Sequence, residues 1–233
     1  MHKNIDRKED WGSEALKLLE ECACAEARES FWCYRQFINP DMQIGWWQCE
    51  VAVELQRFYL EYKAGLRPML LFQSPPQHGK SSQIIDFISW VAGHEPNAKV
   101  IYASFSDRLG IRANRRLKQI YDSLQYQRIF RTRINSENMI TETSRCLRND
   151  EILEYVNAEG YFRNTTVMGA VTGEGLDIGV IDDPIKSRAE ASSEVLLNKT
   201  WEWLTDDFLT RFSDMGALLM IMTRGIWMIL SDV

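Results

Sequence analysis

Long apolar runs are missing from this chain of 233 residues. No stretch of about 18 consecutive apolar residues occurs, which argues against a membrane-spanning helix. The first ten residues are polar and lack the apolar core of a secretory signal. These absences argue against a membrane protein and against a secreted protein. We therefore expect a cytoplasmic protein.

Cysteine is also sparse, with five residues scattered along the chain. Only Cys22 and Cys24 lie close together, and no histidine lies near them. This odd number and irregular spacing predict reduced thiols and not a disulfide framework or a zinc site. Internal repeats and low-complexity linkers are likewise absent.

An excess of positive charge is missing as well. Lys and Arg number 27 against 33 Asp and Glu, so the formal net charge is −6. A protein that binds nucleic acid over a broad surface is usually basic. Any positive site must therefore be local, and one cluster has offsets that place four arginines on one side of a helix. We consider a solvated helix face, a DNA contact and a trans-acting arginine finger for these residues: Arg108, Arg112, Arg115, Arg116 and, beside them, Lys118.

What the sequence does contain is apolar content for a substantial core, 45% of residues, and a phosphate-loop motif. The motif, residues 74–81, reads Ser-Pro-Pro-Gln-His-Gly-Lys-Ser. It follows an apolar run at 69–72 and precedes a helical pattern at 82–91, the strand–loop–helix context in which backbone N–H groups bind phosphate.

Gly79, Lys80 and Ser81 match the template for such loops, whereas Ser74 replaces its first glycine. In the template the lysine reaches the β- and γ-phosphates and the hydroxyl binds Mg²⁺. The alternative is an ordinary proline-rich turn before a helix. If the loop binds nucleotide, the candidate contacts are Ser74, Gln77, His78, Gly79, Lys80, Ser81 and Ser82.

A second motif about a hundred residues later supports the first. Residues 175–183 predict a short apolar strand that ends in two carboxylates, Asp182 and Asp183, and Pro184 places a turn directly after them. An ATPase of this kind needs one acid for the Mg²⁺ shell and another to activate water. Asp182 fits the first role and Asp183 the second. The alternative is a solvated Asp-Asp-Pro turn.

The remaining pattern alternates strands and helices, which predicts an α/β fold with a mostly parallel sheet and helices on both faces. We expect helices at 13–31, with Ser13 as N-cap, and from Trp46 to Tyr62. A strand at 99–104, a hairpin around 157–160, a helical stretch at 187–212 and a last strand at 217–222 follow. In the 187–212 stretch the core-like spacings are those of Trp201, Trp203, Leu204, Phe208 and Phe212. Gln48 either contacts the nucleotide base or is an exposed residue at a helix start.

Three segments together resemble the large terminase subunit of tailed bacteriophages, from about residue 45 to Arg224. They are the loop at 74–81, the string Thr-Gly-Glu-Gly-Leu-Asp at 172–177 before Ile-Asp-Asp-Pro, and Met-Thr-Arg at 222–224 after an apolar strand. The chain departs from that family at Gln77, where an arginine is common, and at Glu174, where a basic residue is common.

The resemblance implies a P-loop ATPase that uses ATP and Mg²⁺ to drive double-stranded DNA into a procapsid in the cytoplasm of a bacterial host. It implies Thr223 as a coupling residue. Its implied partners are a small terminase subunit, a portal protein and other copies in a ring. We divide the chain into an N-terminal helical segment, 1–65, and an ATPase domain, 66–224. The alternatives are a P-loop helicase or recombinase, and a prophage remnant without activity.

Residues 225–233 depart from the family's continuation. These nine residues can be encoded by a set of codons that changes meaning when one nucleotide is added in front of it. The shifted reading frame then encodes Trp-His-Met-Asp-Asp-Leu-Ile-Gly-Arg, which is the continuation expected for the family. We therefore interpret 225–233 as a frameshifted tail and expect the family's nuclease domain to be absent, with weak ATPase activity and an apolar tail prone to association. The gene's bases after the Arg224 codon test this hypothesis.

Overall fold

The computed structural model describes residues 6–135, 146–171, 173 and 175–223. Three helices come first: α1 (Asp6–Glu29), α2 (Phe31–Ile38) and α3 (Trp46–Lys63). Strand β1 (Met69–Ser74), helix α4 (Lys80–His94), strand β2 (Lys99–Ser104) and helices α5 (Asp107–Asp122) and α6 (Leu124–Ile129) follow. The second half contains β3 (Ile152–Glu154), β4 (Tyr161–Thr166), β5 (Leu176–Asp182), α7 (Arg188–Ala191), α8 (Glu194–Glu202) and β6 (Phe212–Thr223).

The six strands form one mixed sheet in the order β1-β6-β5-β2-β4-β3. All neighbours are parallel except β3 and β4, which are antiparallel and form the predicted hairpin. Strands β2 and β5 lie in the middle and are apolar along almost their whole length, as strands buried on both faces must be. The predicted α/β class with a mostly parallel sheet is confirmed.

Helices cover both faces of the sheet. One face packs against the larger apolar core, to which α2, α3, α4 and α5 contribute. The other packs against a smaller core that includes Trp203 and Phe208 from the segment between α8 and β6. The first three helices thus share a core with the sheet, and the division between residues 65 and 66 stays a prediction.

A buried ion pair fastens the N-terminal helices to α4. Arg35 Nε lies 3.2 Å from Asp86 Oδ2, and both side chains are almost fully buried. Asn39 donates to the same carboxylate oxygen, and Arg116 from α5 lies 3.8 Å from the other. Removing one partner from such a pair leaves a buried charge unpaired, so these contacts fix how α2, α4 and α5 pack.

Two predicted helices differ from the observed ones. Helix α1 begins at Asp6 and not at Ser13, so Ser13 lies inside the helix and does not cap it. It ends at Glu29, where Ser30 accepts a hydrogen bond from the Cys33 N–H and caps α2. The single helix at 13–31 was therefore wrong in both bounds.

The stretch at 187–212 is not one helix. Helices α7 and α8 are followed by a π-helical turn (Trp203–Phe208) and a 3₁₀ turn (Leu209–Arg211), and Phe212 already starts β6. The wider π-helical turn changes which side chains of this segment face the sheet. Trp203 and Phe208 are consequently buried, whereas Trp201 is 65% exposed and is not a core residue. No helix in the described ranges is long and apolar enough to cross a membrane.

Candidate functional site

The phosphate loop connects β1 to α4 with a backbone that few side chains tolerate. Gly79 has φ 73°, and a Cβ there would meet no atom within 4 Å, so its backbone conformation and not space calls for glycine. Gln77 adopts a positive φ of 65° without being glycine, which costs about 1 kcal/mol or more. Helix α4 begins directly at Lys80, with no side chain capping its N-terminus. Its first N–H groups are therefore available to an anion.

The carboxyl ends of four parallel strands meet beside this loop. The register pairs Ser74 of β1 with Thr223 of β6, and Ser104 of β2 with Asp182 of β5. Asp182 itself lies opposite Ile221. In open parallel sheets this edge is where ligands bind. The two motifs are far apart in sequence, and the parallel pairing brings them together at the same edge.

Three predicted site residues are in direct contact at this edge. Lys80 Nζ lies 2.7 Å from Asp183 Oδ2 and also donates to the Thr223 hydroxyl. The Thr223 N–H donates to Asp183 Oδ1 at 2.6 Å, and its Oγ1 lies 2.8 Å from both carboxylate oxygens. Asp183 has a positive φ of 47°. The chain therefore turns in a strained conformation that directs this carboxylate toward the loop.

Asp182, the residue directly before Asp183, lies in a different environment, because its side chain is buried and only 2% exposed. Its Oδ2 accepts a hydrogen bond of 2.5 Å from the Tyr102 hydroxyl, while its Oδ1 is buried without a hydrogen-bond partner among the described residues. Burial raises the pKa of the Asp182 carboxyl above its ordinary value, and the hydroxyls of Ser81 and Tyr102 oppose that rise. A buried carboxylate oxygen without a hydrogen-bond partner is suited to coordinate a cation.

These donors fit Mg²⁺. The ion prefers oxygen ligands and usually keeps water and substrate phosphates in its shell, so one hydroxyl and one carboxylate suffice on the protein side. Ser81 and Asp182 supply this pair. Within the described ranges no cluster of three or more His, Cys, Asp or Glu could hold a metal.

The start of α3 lies against the phosphate loop. The rings of Trp47 and His78 approach edge to face at 6.2 Å, and Gln83 of α4 donates to the Gln48 carbonyl oxygen. The Gln48 side chain folds over Gly45 at the helix N-terminus. The structure thus places Gln48 beside the loop, at the rim of the site, and its contact with a base stays a prediction.

Of the other predicted loop contacts, Ser74 is fully buried and its hydroxyl donates to the Pro75 carbonyl oxygen. His78 Nδ1 lies 2.9 Å from the Pro76 carbonyl oxygen, an internal brace of the loop. Ser82 is exposed on the first turn of α4. Thr172, Glu174, Arg224 and the tail at 225–233 lie outside the described residues.

The arginine cluster is split by its partners. Arg115 and Lys118 both pair with Asp150, and Arg116 turns toward Asp86 and Asn39. Arg108 and Arg112 are exposed and have no ion-pair partner in the part of the chain that the structure describes. The same helix therefore carries two arginines that form ion pairs and two that form none with the described residues.

A separate apolar cavity of about 600 Å³ lies on the opposite face, between α8 and the strands β1, β5 and β6. Its lining contains Trp201, Leu204 and Met220 and no charged side chain. It does not include the phosphate loop or the two carboxylates, so it is not the candidate nucleotide site.

Tyr102 is the site residue that sequence reasoning missed. It lies inside an apolar strand and has the pattern of a core residue, and only the pairing of β2 with β5 brings it to Asp182. Burial raises the pKa of its phenol well above the ordinary value, so the hydroxyl stays protonated and donates. One signal in the sequence could have identified Tyr102: it carries a hydroxyl near the carboxyl end of β2, the strand that pairs with β5.

Tyr102→Phe tests this role. Loss of the hydroxyl leaves Asp182 Oδ2 unpaired and freer to turn, so we expect the Mg²⁺ concentration that gives half-maximal ATPase activity to rise about tenfold. Asp182→Asn should raise it further. Tyr121→Phe is the matched control, because Tyr121 is equally buried and, among the described residues, its hydroxyl bonds to that of Tyr155 and to no site residue. Equal Mg²⁺ dependence in the Tyr102 and Tyr121 variants would remove Tyr102 from the site.

Comparisons with known proteins return a likeness of structure alone. No protein-family model matches the chain, and no curated protein matches it. Among solved structures, the crystal structure of the HK97 bacteriophage large terminase is similar over 78% of this chain, with a TM-score of 0.47 and 11% identity. The chain spans about a third of that protein's length, 33%. The likeness concerns the fold and assigns no activity to this chain.

Proposed function

We propose that this chain is an ATP-hydrolysing domain of the terminase type, which couples ATP hydrolysis to the movement of double-stranded DNA. The observation that carries the proposal is the meeting of Lys80, Asp183 and Thr223 beside a phosphate loop, with the unpaired Asp182 oxygen next to them. The resemblance of the motifs to the terminase large subunit supports the DNA-moving part.

Phosphate binding involves the ion pair that Lys80 forms with Asp183. Lys80 is paired with Asp183, so an incoming triphosphate must take the ammonium group from that carboxylate. The N–H groups at the start of α4 and the Lys80 charge then face the β- and γ-phosphates. When Lys80 is released, Asp183 keeps its hydrogen bonds to Thr223.

Ser81 and Asp182 are the residues that would hold Mg²⁺, which supplies neutralisation of the phosphate charge when bound. Tyr102 keeps one oxygen of Asp182 occupied and leaves Oδ1 available. Because Asp182 is buried, its position is fixed by the packed sheet and not by mobile loop atoms.

In this proposal Asp183 accepts a proton from the attacking water. General bases of this kind need to be close to the water and fixed in orientation. The N–H and hydroxyl of Thr223 provide that orientation, and Thr223 ends β6. Any shift of Asp183 during hydrolysis is thereby passed to the end of β6, which is the physical basis of the coupling role proposed for Thr223.

The proposed partners follow from the same resemblance: double-stranded DNA, a small terminase subunit, a portal protein and further copies of the chain in a ring. We expect basal hydrolysis without them, because the groups proposed for phosphate binding and water activation lie within one chain. An arginine finger from a neighbouring copy stays among the proposed roles of the α5 arginines.

Release of inorganic phosphate by the purified chain tests the proposal. We expect Mg²⁺-dependent release from ATP, faster in the presence of duplex DNA. ATP binding without turnover under any Mg²⁺ concentration would instead identify a nucleotide-binding remnant. Turnover stimulated only by single-stranded DNA would favour the helicase alternative.

A further inference from the structure

A groove of about 860 Å³ lies between the first turns of α4 and the exposed face of α5. Its α4 side consists of Ser81, Ser82 and Ile85, and its α5 side carries Arg108, Arg112, Arg115 and Arg116 with Ile111 and Gln119. It contains four guanidinium groups and no acidic side chain among its lining residues. In a chain of net charge −6, this is a marked local concentration of positive charge.

The charge in this groove is only half compensated. Asp150 faces Arg115, and Asp86 faces Arg116. Arg108 and Arg112 have no such partner in the described ranges, and Asp107, the acid nearest to them in sequence, lies at the start of the same helix. Two guanidinium groups that cannot lose their protons are therefore left facing solvent one helical turn apart.

The shape and chemistry of the groove fit a chain of phosphates. From Arg108 to Gln119 it runs about 16 Å along α5, at the rise of an α-helix. That is the axial length of about five base pairs of duplex DNA. The lining has no aromatic side chain on which an unpaired base could stack, so it is suited to the backbone and not to the bases.

We infer that this groove binds the phosphodiester backbone of duplex nucleic acid, with Arg108 and Arg112 as the contacting residues. The biological role of this contact rests on the proposed function, but the contact itself requires no bound nucleotide. Because Ser81 and Ser82 belong to both the groove and the start of α4, the bound backbone lies against the helix that receives the triphosphate. Nucleic acid and nucleotide thus contact neighbouring atoms of one helix.

The test is fluorescence anisotropy of a labelled 30-base-pair DNA duplex with the whole chain, without nucleotide, over a series of salt concentrations. Each phosphate contact contributes about −0.9 to the slope of log affinity against log salt. The double substitution Arg108→Gln and Arg112→Gln should reduce the magnitude of the slope by about 1.8. At about 0.1 M salt it should weaken binding about 60-fold, since each of the two contacts contributes about eightfold there.

Arg57→Gln is the matched control. Arg57 is 63% exposed on α3, away from the groove, and its removal changes the net charge without removing a groove contact. It should leave the slope nearly unchanged. Equal slopes for the double variant and the parent would overturn the inference, and so would equal losses in the double variant and in Arg57→Gln. Tighter binding of single-stranded than of duplex DNA by the parent would also overturn it.

Two further measurements separate this site from the nucleotide site. Lys80→Ala should bind the duplex as the parent does. If it does, and if the parent chain itself shows no ATPase activity, the groove assignment stands while the proposed function fails. If the double variant loses ATP affinity and keeps its DNA salt slope, the groove serves the nucleotide and the inference is wrong. Thermal melting of each variant checks that the substitutions leave the fold intact.

Discussion

Lys80→Ala is expected to abolish ATP binding at concentrations at which the parent chain is saturated. Lys80 is the only cation within the described contacts of Asp183 and Thr223, and it lies at the first position of α4. A hydrogen bond to a charged group contributes about 1.5–3 kcal/mol. Loss of two such bonds to phosphate oxygens lowers the affinity at least about 100-fold.

The fold should survive this change, because Asp183 keeps the two donors of Thr223 and remains partly exposed to water. Isothermal titration with ATP measures the affinity, and thermal melting measures the fold. Lys63→Ala is the control, since Lys63 pairs with Glu95 on the surface and touches no site residue. Equal ATP affinity in Lys80→Ala and the parent would remove Lys80 from the site.

Asp183→Asn should lower the turnover number about 100-fold or more and leave Mg-ATP binding at least as tight as in the parent. The amide cannot accept the proton of the attacking water, and a positioned general base contributes about 10²–10⁴ to the rate. Affinity should not fall, because the parent's carboxylate competes with phosphate for Lys80 and the amide competes less.

Single-turnover hydrolysis measures the loss in the chemical step, and titration of ATP under the same conditions measures the affinity. Asp207→Asn is the control, an exposed carboxylate in the π-helical turn. Normal turnover in Asp183→Asn places the base elsewhere, and Glu174 is then the next candidate. A joint loss of affinity and turnover would instead assign Asp183 to binding.

Much of the candidate site could be predicted from the sequence, because its signals are local. The strand–loop–helix at 69–94 and the strand ending at Asp182 are short patterns in which apolar runs stop at glycine, proline or paired acids. The positions of Lys80, Ser81, Asp182 and Asp183 relative to their elements follow from those patterns. The last strand, predicted at 217–222, is longer in the structure, where β6 runs from Phe212 to Thr223.

The helical segments were predicted less well, since their bounds depend on competition between neighbouring elements. Ser30 ends one helix and caps the next, although an uninterrupted pattern runs through it. A π-helical turn redirects Trp203 and Phe208 toward the sheet and leaves Trp201 outside. Packing against the sheet, and not local propensity, decides these cases.

The sequence by itself determined the fold class and which residues carry the candidate chemistry, because period, turn residues and motif spacing act over a few residues. Only the tertiary structure decided how those residues combine. Parallel register brings Thr223 and Lys80 together across 143 positions and sets Tyr102 against Asp182 across 80. It also decided which arginines remain uncompensated, because Asp150 and Asp86 come from elements distant in the chain, and electrostatic pairing depends on distance in space and not along the sequence.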